Sequence, residues 1–170
     1  MWRRMFLVLL ASVPLVALVS GVNDDDNKGV EQAKKTVSEF GRKLAATDLD
    51  GVLKTLDAPF VWNFANNVDK LEVIKDRDGL KKPVQSLLDR FKDKKPKLEV
   101  TRVINSADFI KAVSKDVSKE DGKLLDDVLK KDGYVLQVEV KGGDGKRITI
   151  WACLVASPSG QPKVVGVLDN

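Results

Sequence analysis

Apolar positions recur along this chain with two different periods, and the change of period organises it. Val30, Ala33, Val37, Phe40 and Leu44 step by three and four, which predicts one face of a helix over about 28–46. Thr47 or Asp48 caps a shorter helix, Leu49 to Leu56, with Leu49, Val52, Leu53 and Leu56 apolar. Asp57-Ala58-Pro59 ends it, because proline cannot continue a helix and biases the preceding residue to an extended shape. Phe60, Trp62 and Phe64 then alternate as one face of a strand, and a short strand is expected at Leu71–Ile74. Leu80, Val84, Leu87, Leu88 and Phe91 return to helical spacing after the turn Asp76-Arg77-Asp78-Gly79. Pro83 requires that the first helical turn lie close to it.

The second half is dominated by period two. A strand is expected at about 97–105, with Leu98, Val100, Arg102 and Ile104 on one face. Residues 107–132 interrupt with a helical insertion, Phe109–Val113 and Glu120–Lys131. Tyr134, Leu136, Val138 and Val140 alternate up to the turn Gly142-Gly143-Asp144-Gly145, rich in residues that accept positive φ. Lys146–Ala156 is a long strand, and Lys163–Leu168 closes the chain after a Ser/Pro/Gly turn. Helices come early and antiparallel strands late. The fold class is therefore α+β, with N-terminal helices packed in the concave face of a strongly curved, mainly antiparallel sheet.

The N-terminus has a separate pattern. Arg3 and Arg4 precede an apolar run from Met5 to Val19, then Val19-Ser20-Gly21, then a polar stretch with Asp24-Asp25-Asp26. This is the layout of a secretory signal peptide with cleavage near Gly21. The run is shorter than the ~20 residues of a membrane span, so an uncleaved anchor is the lesser alternative. The expected organisation is signal peptide 1–21, linker 22–28 and a single domain 29–170. The three aspartates lack the alternating ligands, central Gly and distant Glu of a calcium loop.

Composition narrows the chemistry. The 170 residues include one Cys and no His, which excludes His-based triads, His-ligated zinc and intrachain disulfides. The net charge is +4 with Arg3 and Arg4 and +2 without residues 1–21, too little to argue for nucleic acid. The lysines at 92, 94, 95 and 97 alternate with Asp93 and Pro96 and read as a solvated turn. No metal and no cofactor is expected.

The chain resembles the nuclear transport factor two-like superfamily, the cone-shaped fold of ketosteroid isomerase and polyketide cyclase-like proteins. The resemblance rests on the first helix followed by Ala46-Thr47-Asp48-Leu49-Asp50-Gly51-Val52-Leu53, and on Leu56-Asp57-Ala58-Pro59-Phe60, where a short helix passes to a strand. It continues through Asp78-Gly79-Leu80-Lys81-Lys82-Pro83-Val84-Gln85-Ser86-Leu87 and the terminal meander, over about residues 28–169. It implies a pocket between the concave sheet face and the helices. Catalytic members use an Asp base with donors, or a His-Asp dyad that this chain cannot build, and no catalytic residue is transferred.

Candidate residues follow from faces. Trp62, Arg102, Tyr134 and Asp57 would line the pocket, if Arg102 points inward with Leu98 and Val100. The alternatives are packing for Trp62 and Tyr134, a snorkelling strand-end role for Arg102, and capping for Asp57. Trp151, Cys153 and Val155 fall opposite Ile148 and Ile150, which assigns them to the outer sheet face as an interface, covered by the insertion or by a second copy. The expected partners are a small hydrophobic or anionic ligand and a homodimer mate. Nucleic acid is not expected, and membrane only if the N-terminal segment stays uncleaved. The leading functional expectation is non-catalytic binding or self-association by an exported protein. The alternatives are a small lyase or isomerase using an Asp or Tyr, and a structural interaction module of the cell envelope.

Overall fold

The computed structural model describes residues 24–63, 71–114, 117–130, 132–158 and 160–169. Residues 1–21, expected to be a signal peptide, and Phe64 lie outside them. Helix α1 (Asp24–Ala45) begins earlier than its apolar stripe, so residues 24–28 are helical rather than linker. Extending a packed helix by a turn costs little once it is nucleated. Asp48 caps α2 (Leu49–Thr55), accepting from the Gly51 N–H at 2.8 Å and from Lys43 Nζ at 2.8 Å. Those two bonds, the lysine's first, hold its carboxyl below the usual carboxylate range.

Strand β1 (Leu56–Trp62) follows without a loop. It accommodates Pro59, next to a cis Ala58–Pro59 peptide, because its ladder to the last strand is irregular between Leu56 and Val61. Then come β2 (Glu72–Ile74), a single 3-10 turn (Asp78–Leu80) and α3 (Lys81–Phe91), with Pro83 in its first turn as required. Strand β3 (Lys97–Asn105) leads into α4 (Ser106–Val113) and α5 (Lys119–Leu129), and β4 (Tyr134–Lys141), β5 (Arg147–Ala156) and β6 (Lys163–Asp169) complete the chain. The six strands form one open sheet in the order β2-β1-β6-β5-β4-β3, antiparallel except for β1 beside β6.

Both faces of this sheet are covered. On the concave face α1, α2 and α3 bury Val37, Phe40, Leu44, Leu88 and Phe91 against Leu136, Val138, Trp151, Cys153 and Val155. On the convex face α4 and α5 bury Phe109, Val113, Leu125 and Leu129 against Val135, Ala152, Leu154 and Val165. Two apolar layers are thus built on one sheet, and β5 passes through the middle of both.

This arrangement corrects the interface expectation. Trp151, Cys153 and Val155 are on the concave face and at most 1% exposed, so they cannot meet a second chain in this fold. The sequence misleads here because β5 is apolar on both faces, and Ile148 belongs with the wrong set. A register shift near Arg147 lets Ile148 pack toward the concave core although its parity matches Ile150.

Candidate functional site

The inside of the cone is filled by aromatic rings. Trp151 lies edge-on to Phe91, with centroids 5.4 Å apart, and tilted against Phe40 at 6.5 Å. These contacts leave the open space at the rim. A cleft of about 400 Å³ lies there between β1, β2 and α3, lined by Trp62, Glu72, Lys82, Pro83, Ser86, Leu87 and Arg90.

Each lining residue has a structural reason to be there. Trp62 ends β1, opposite Glu72 of β2 and Val167 of β6, and it packs tilted against Phe60 with centroids 6.1 Å apart. It is 8% exposed, so only a small part of its surface reaches the cleft. Lys82, Ser86 and Arg90 recur every four residues along α3 and share a line on its exposed side, while Leu87 is buried beneath them. The result is an apolar floor of Trp62, Pro83 and Leu87 under a rim with two cations and one carboxylate.

A polar cluster adjoins the cleft through Arg90. Asp169 lies opposite Trp151 at the end of β6. Its carboxylate accepts from Thr149 Oγ1 at 2.6 Å and from both Arg90 guanidinium nitrogens at 3.4 Å. Asn63 Oδ1 accepts from the Asp169 N–H at 2.6 Å, and Asn63 Nδ2 donates to the Asp169 carbonyl at 3.2 Å. The Asn63 amide therefore takes the place of a backbone unit and prolongs the β1–β6 pairing by one step. Asn63 is buried and needs both bonds to offset its desolvation. Asp169 thereby fixes Arg90 at the edge of the cleft.

The four sequence-predicted pocket residues do not come together. Trp62 lines the cleft. Tyr134 is on the concave face as expected but lines a separate hollow of about 190 Å³ beneath the start of α1, with Gly29, Gln32 and Ala33. Gly29 lies so close to the tyrosine hydroxyl that any side chain there would collide with it. Asp57 accepts from the N–H of Ala58 at 2.9 Å, a local turn bond, and it lines neither space. Arg102 faces away from the cone. Thr101 is an extra residue in the β3–β4 ladder, which runs Val100 opposite Val138 and then Arg102 opposite Gln137. The bulge reverses the alternation, turning Arg102 to the convex side and Val103 to the concave core.

Sequence reading missed Asn63, Arg90, Thr149 and Asp169, which are scattered along the chain and meet only through the β1–β6–β5 pairing. Asn63 directly after an aromatic strand was the one available signal. Among the described residues no group of His, Cys, Asp and Glu is placed to hold a metal ion, and no helix is long and apolar enough to cross a membrane. Cys153 is fully buried, and desolvation pushes its thiol up to about 12. A packing role accounts for it.

No family model matches the chain, and no curated protein matches its sequence. Solved structures do match. An NTF2-like protein of unknown function from Shewanella baltica superposes with a TM-score of 0.52 at 10% identity, over 88% of this chain and 97% of its own. A protein of unknown function with a cystatin-like fold from Nostoc punctiforme gives 0.52 at 12% identity, over 87% and 92%. A Mycobacterium tuberculosis protein of unknown function gives 0.53 at 10% identity, over 89% and 76%. At these identities the likeness concerns architecture alone. Helices cupped in a curved six-stranded sheet, together with these neighbours, establish that the chain has the nuclear transport factor two-like cone fold.

Proposed function

We propose that this protein is an exported, non-catalytic binding protein, and that the rim cleft takes a small amphipathic anion. The observation that carries this reading is the pairing of an apolar floor, Trp62, Pro83 and Leu87, with the cations of Lys82 and Arg90 above it. An apolar body would displace water from the floor, while a carboxylate or phosphate would meet the two cations. Glu72 on the opposite lip would select against a second negative charge. Asp169, which holds Arg90 at the cleft edge, already accepts from Thr149 and Arg90, so it is occupied as a structural acceptor rather than poised as a base. Export is supported by Arg3-Arg4, the following apolar run and the small residues at 20 and 21.

Trp62 provides the test. The other tryptophan of the folded domain, Trp151, is fully buried, so a change in emission on ligand addition reports the cleft. Octanoate is expected to shift the emission saturably and octyltrimethylammonium is not. Lys82→Ala should weaken octanoate binding, and Trp62→Phe should remove the signal. Equal responses to the two amphiphiles, or no saturation by octanoate at millimolar concentration, would overturn the reading. The export claim is checked separately by the N-terminus of the protein recovered from its host. It should begin near residue 22, and a chain starting at Met1 would refute it.

A further inference from the structure

A second space lies at the end of the sheet where two loops meet. The turn after α3 contributes Asp93, Lys94 and Lys95, and the β4–β5 hairpin contributes Gly142, Gly143, Asp144, Lys146, Arg147 and Ile148. Together they line a groove of about 400 Å³. The loops are joined by a hydrogen bond from the Gly143 N–H to the Lys94 carbonyl at 2.8 Å. A Cβ at Gly142 would lie in ordinary contact with the same carbonyl, 3.7 Å away, so the hairpin tip touches the turn. The turn is itself fixed, since Pro96 is buried and Lys95 adopts φ +43°, a conformation lysine does not take without external support.

Charge is concentrated here beyond what composition requires. Segments 92–97 and 141–147 hold seven Lys or Arg against two Asp, a surplus of five in a chain whose total is +4. Part of this is internally compensated. Lys97 and Lys141 pair with Glu99, and Arg147 lies 3.6 Å from Glu139. Lys146 reaches Asp144 only at 3.9 Å, with both side chains mostly exposed. Lys92, Lys94 and Lys95 make no ion pair among the described residues, and Lys94 Nζ sits 5.7 Å from the Phe91 ring centre. Lys94, Lys95 and Lys146 line the same groove, and an anion there would lower their mutual repulsion.

We propose that this groove is a binding site for a multiply charged phosphate anion. Lysines act as point charges with rotatable donors on long stems, which suits the several oxygens of a tetrahedral phosphate, and Lys94, Lys95 and Lys146 all line the groove. With Asp93 and Asp144 also in the lining, the groove's four cations leave two net positive charges, which a doubly charged phosphate balances and a single carboxylate does not. The groove also has room for more than one phosphate unit. The site is separate from the rim cleft, and the two share no lining residue.

The test uses the full chain, with tripolyphosphate and phosphatidylglycerol vesicles as probes, at physiological salt and with amide chemical shifts as the readout. Tripolyphosphate should shift Gly142, Gly143 and the 93–95 amides saturably. Lys94→Ala/Lys95→Ala should weaken binding at least tenfold, whereas Lys34→Ala/Lys35→Ala, which removes the same charge from α1, should leave it within twofold. Binding of tripolyphosphate alone identifies a free polyphosphate. Binding of both probes, each competing with the other, identifies a lipid phosphate as an equivalent occupant. Vesicle binding without that competition, no response to tripolyphosphate, or equal losses in the two double variants would overturn the proposal. The shifts of 142–147 in Lys94→Ala/Lys95→Ala without ligand report whether the groove is still formed. If they show it collapsed, Lys146→Ala replaces that variant under the same criterion.

Discussion

Arg102 lies opposite Gln137 on the convex side of the sheet, and its neighbour Val103 lies opposite Leu136 in the concave core. Uninterrupted alternation from Leu98 would place them the other way round. Val103→Asp should therefore destabilise the protein by about 1–3 kcal/mol, because it sets a carboxylate against Leu136 at a half-buried position of the concave core. Arg102→Ala should cost less, and it should leave octanoate binding in the rim cleft unchanged. Urea denaturation of the two variants decides between the faces. A Val103→Asp variant as stable as the parent would mean that Thr101 is not the extra residue.

Asn63 and Asp169 behave as one polar unit. Asn63→Ala would leave the N–H and carbonyl of Asp169 without their partners in a buried place, at a cost of about 1–3 kcal/mol. Asp169→Asn retains those backbone bonds but releases Arg90, so it should cost less while altering octanoate affinity. Measuring both stability and affinity for each variant separates the two roles.

Cys153 should make stability fall at high pH. Its folded value, about 12, lies above its ordinary value of 9.0, so the folded state holds the thiol proton where the unfolded chain releases it. Stability is therefore unaffected below about pH 9 and declines between pH 9 and the folded value, by up to about 1.4 kcal/mol per pH unit. Cys153→Ala should remove that slope, whatever its effect at neutral pH. A thiol reagent should modify the native protein only at the rate of unfolding.

The elements whose two faces differ were the ones legible in the sequence. In β4, Tyr134, Leu136, Val138 and Val140 face the core while Gln137 and Glu139 are only partly buried, and its predicted limits match the structure. The insertion helices were legible for the same reason, although the caps Asn105 and Ser118, which start them at Ser106 and Lys119, were not read from the sequence. In β5 every residue from Ile150 to Ala156 is buried, so nothing in its composition tells one face from the other. The bulge at Thr101 has no local signature either, since one extra residue changes parity without changing character. The rim cleft was half visible, through Trp62. Arg90 and Asp169 acquire their roles only from pairings between distant segments.

The helical layer on the convex face should be separable from the cone by mutation. Leu125 is fully buried between α5 and the sheet. Leu125→Asp should detach α4 and α5 and expose Val135, Leu154 and Val165. The variant should then bind a hydrophobic dye and self-associate in sedimentation, with the near-ultraviolet signal of Trp151 kept. Loss of that signal would show that the two layers unfold as one.

The ends of this layer explain how it can be present at all. Asn105 and Tyr134 are cross-strand partners, and the Ser106 N–H donates to the Gly133 carbonyl at 2.8 Å, so the whole excursion leaves and re-enters the sheet at a single rung. To the ladder between β3 and β4, a stretch of twenty-eight residues is equivalent to a tight turn. The length of such a stretch therefore places no constraint on the register of any strand, so long as its helices still cover Val135, Leu154 and Val165.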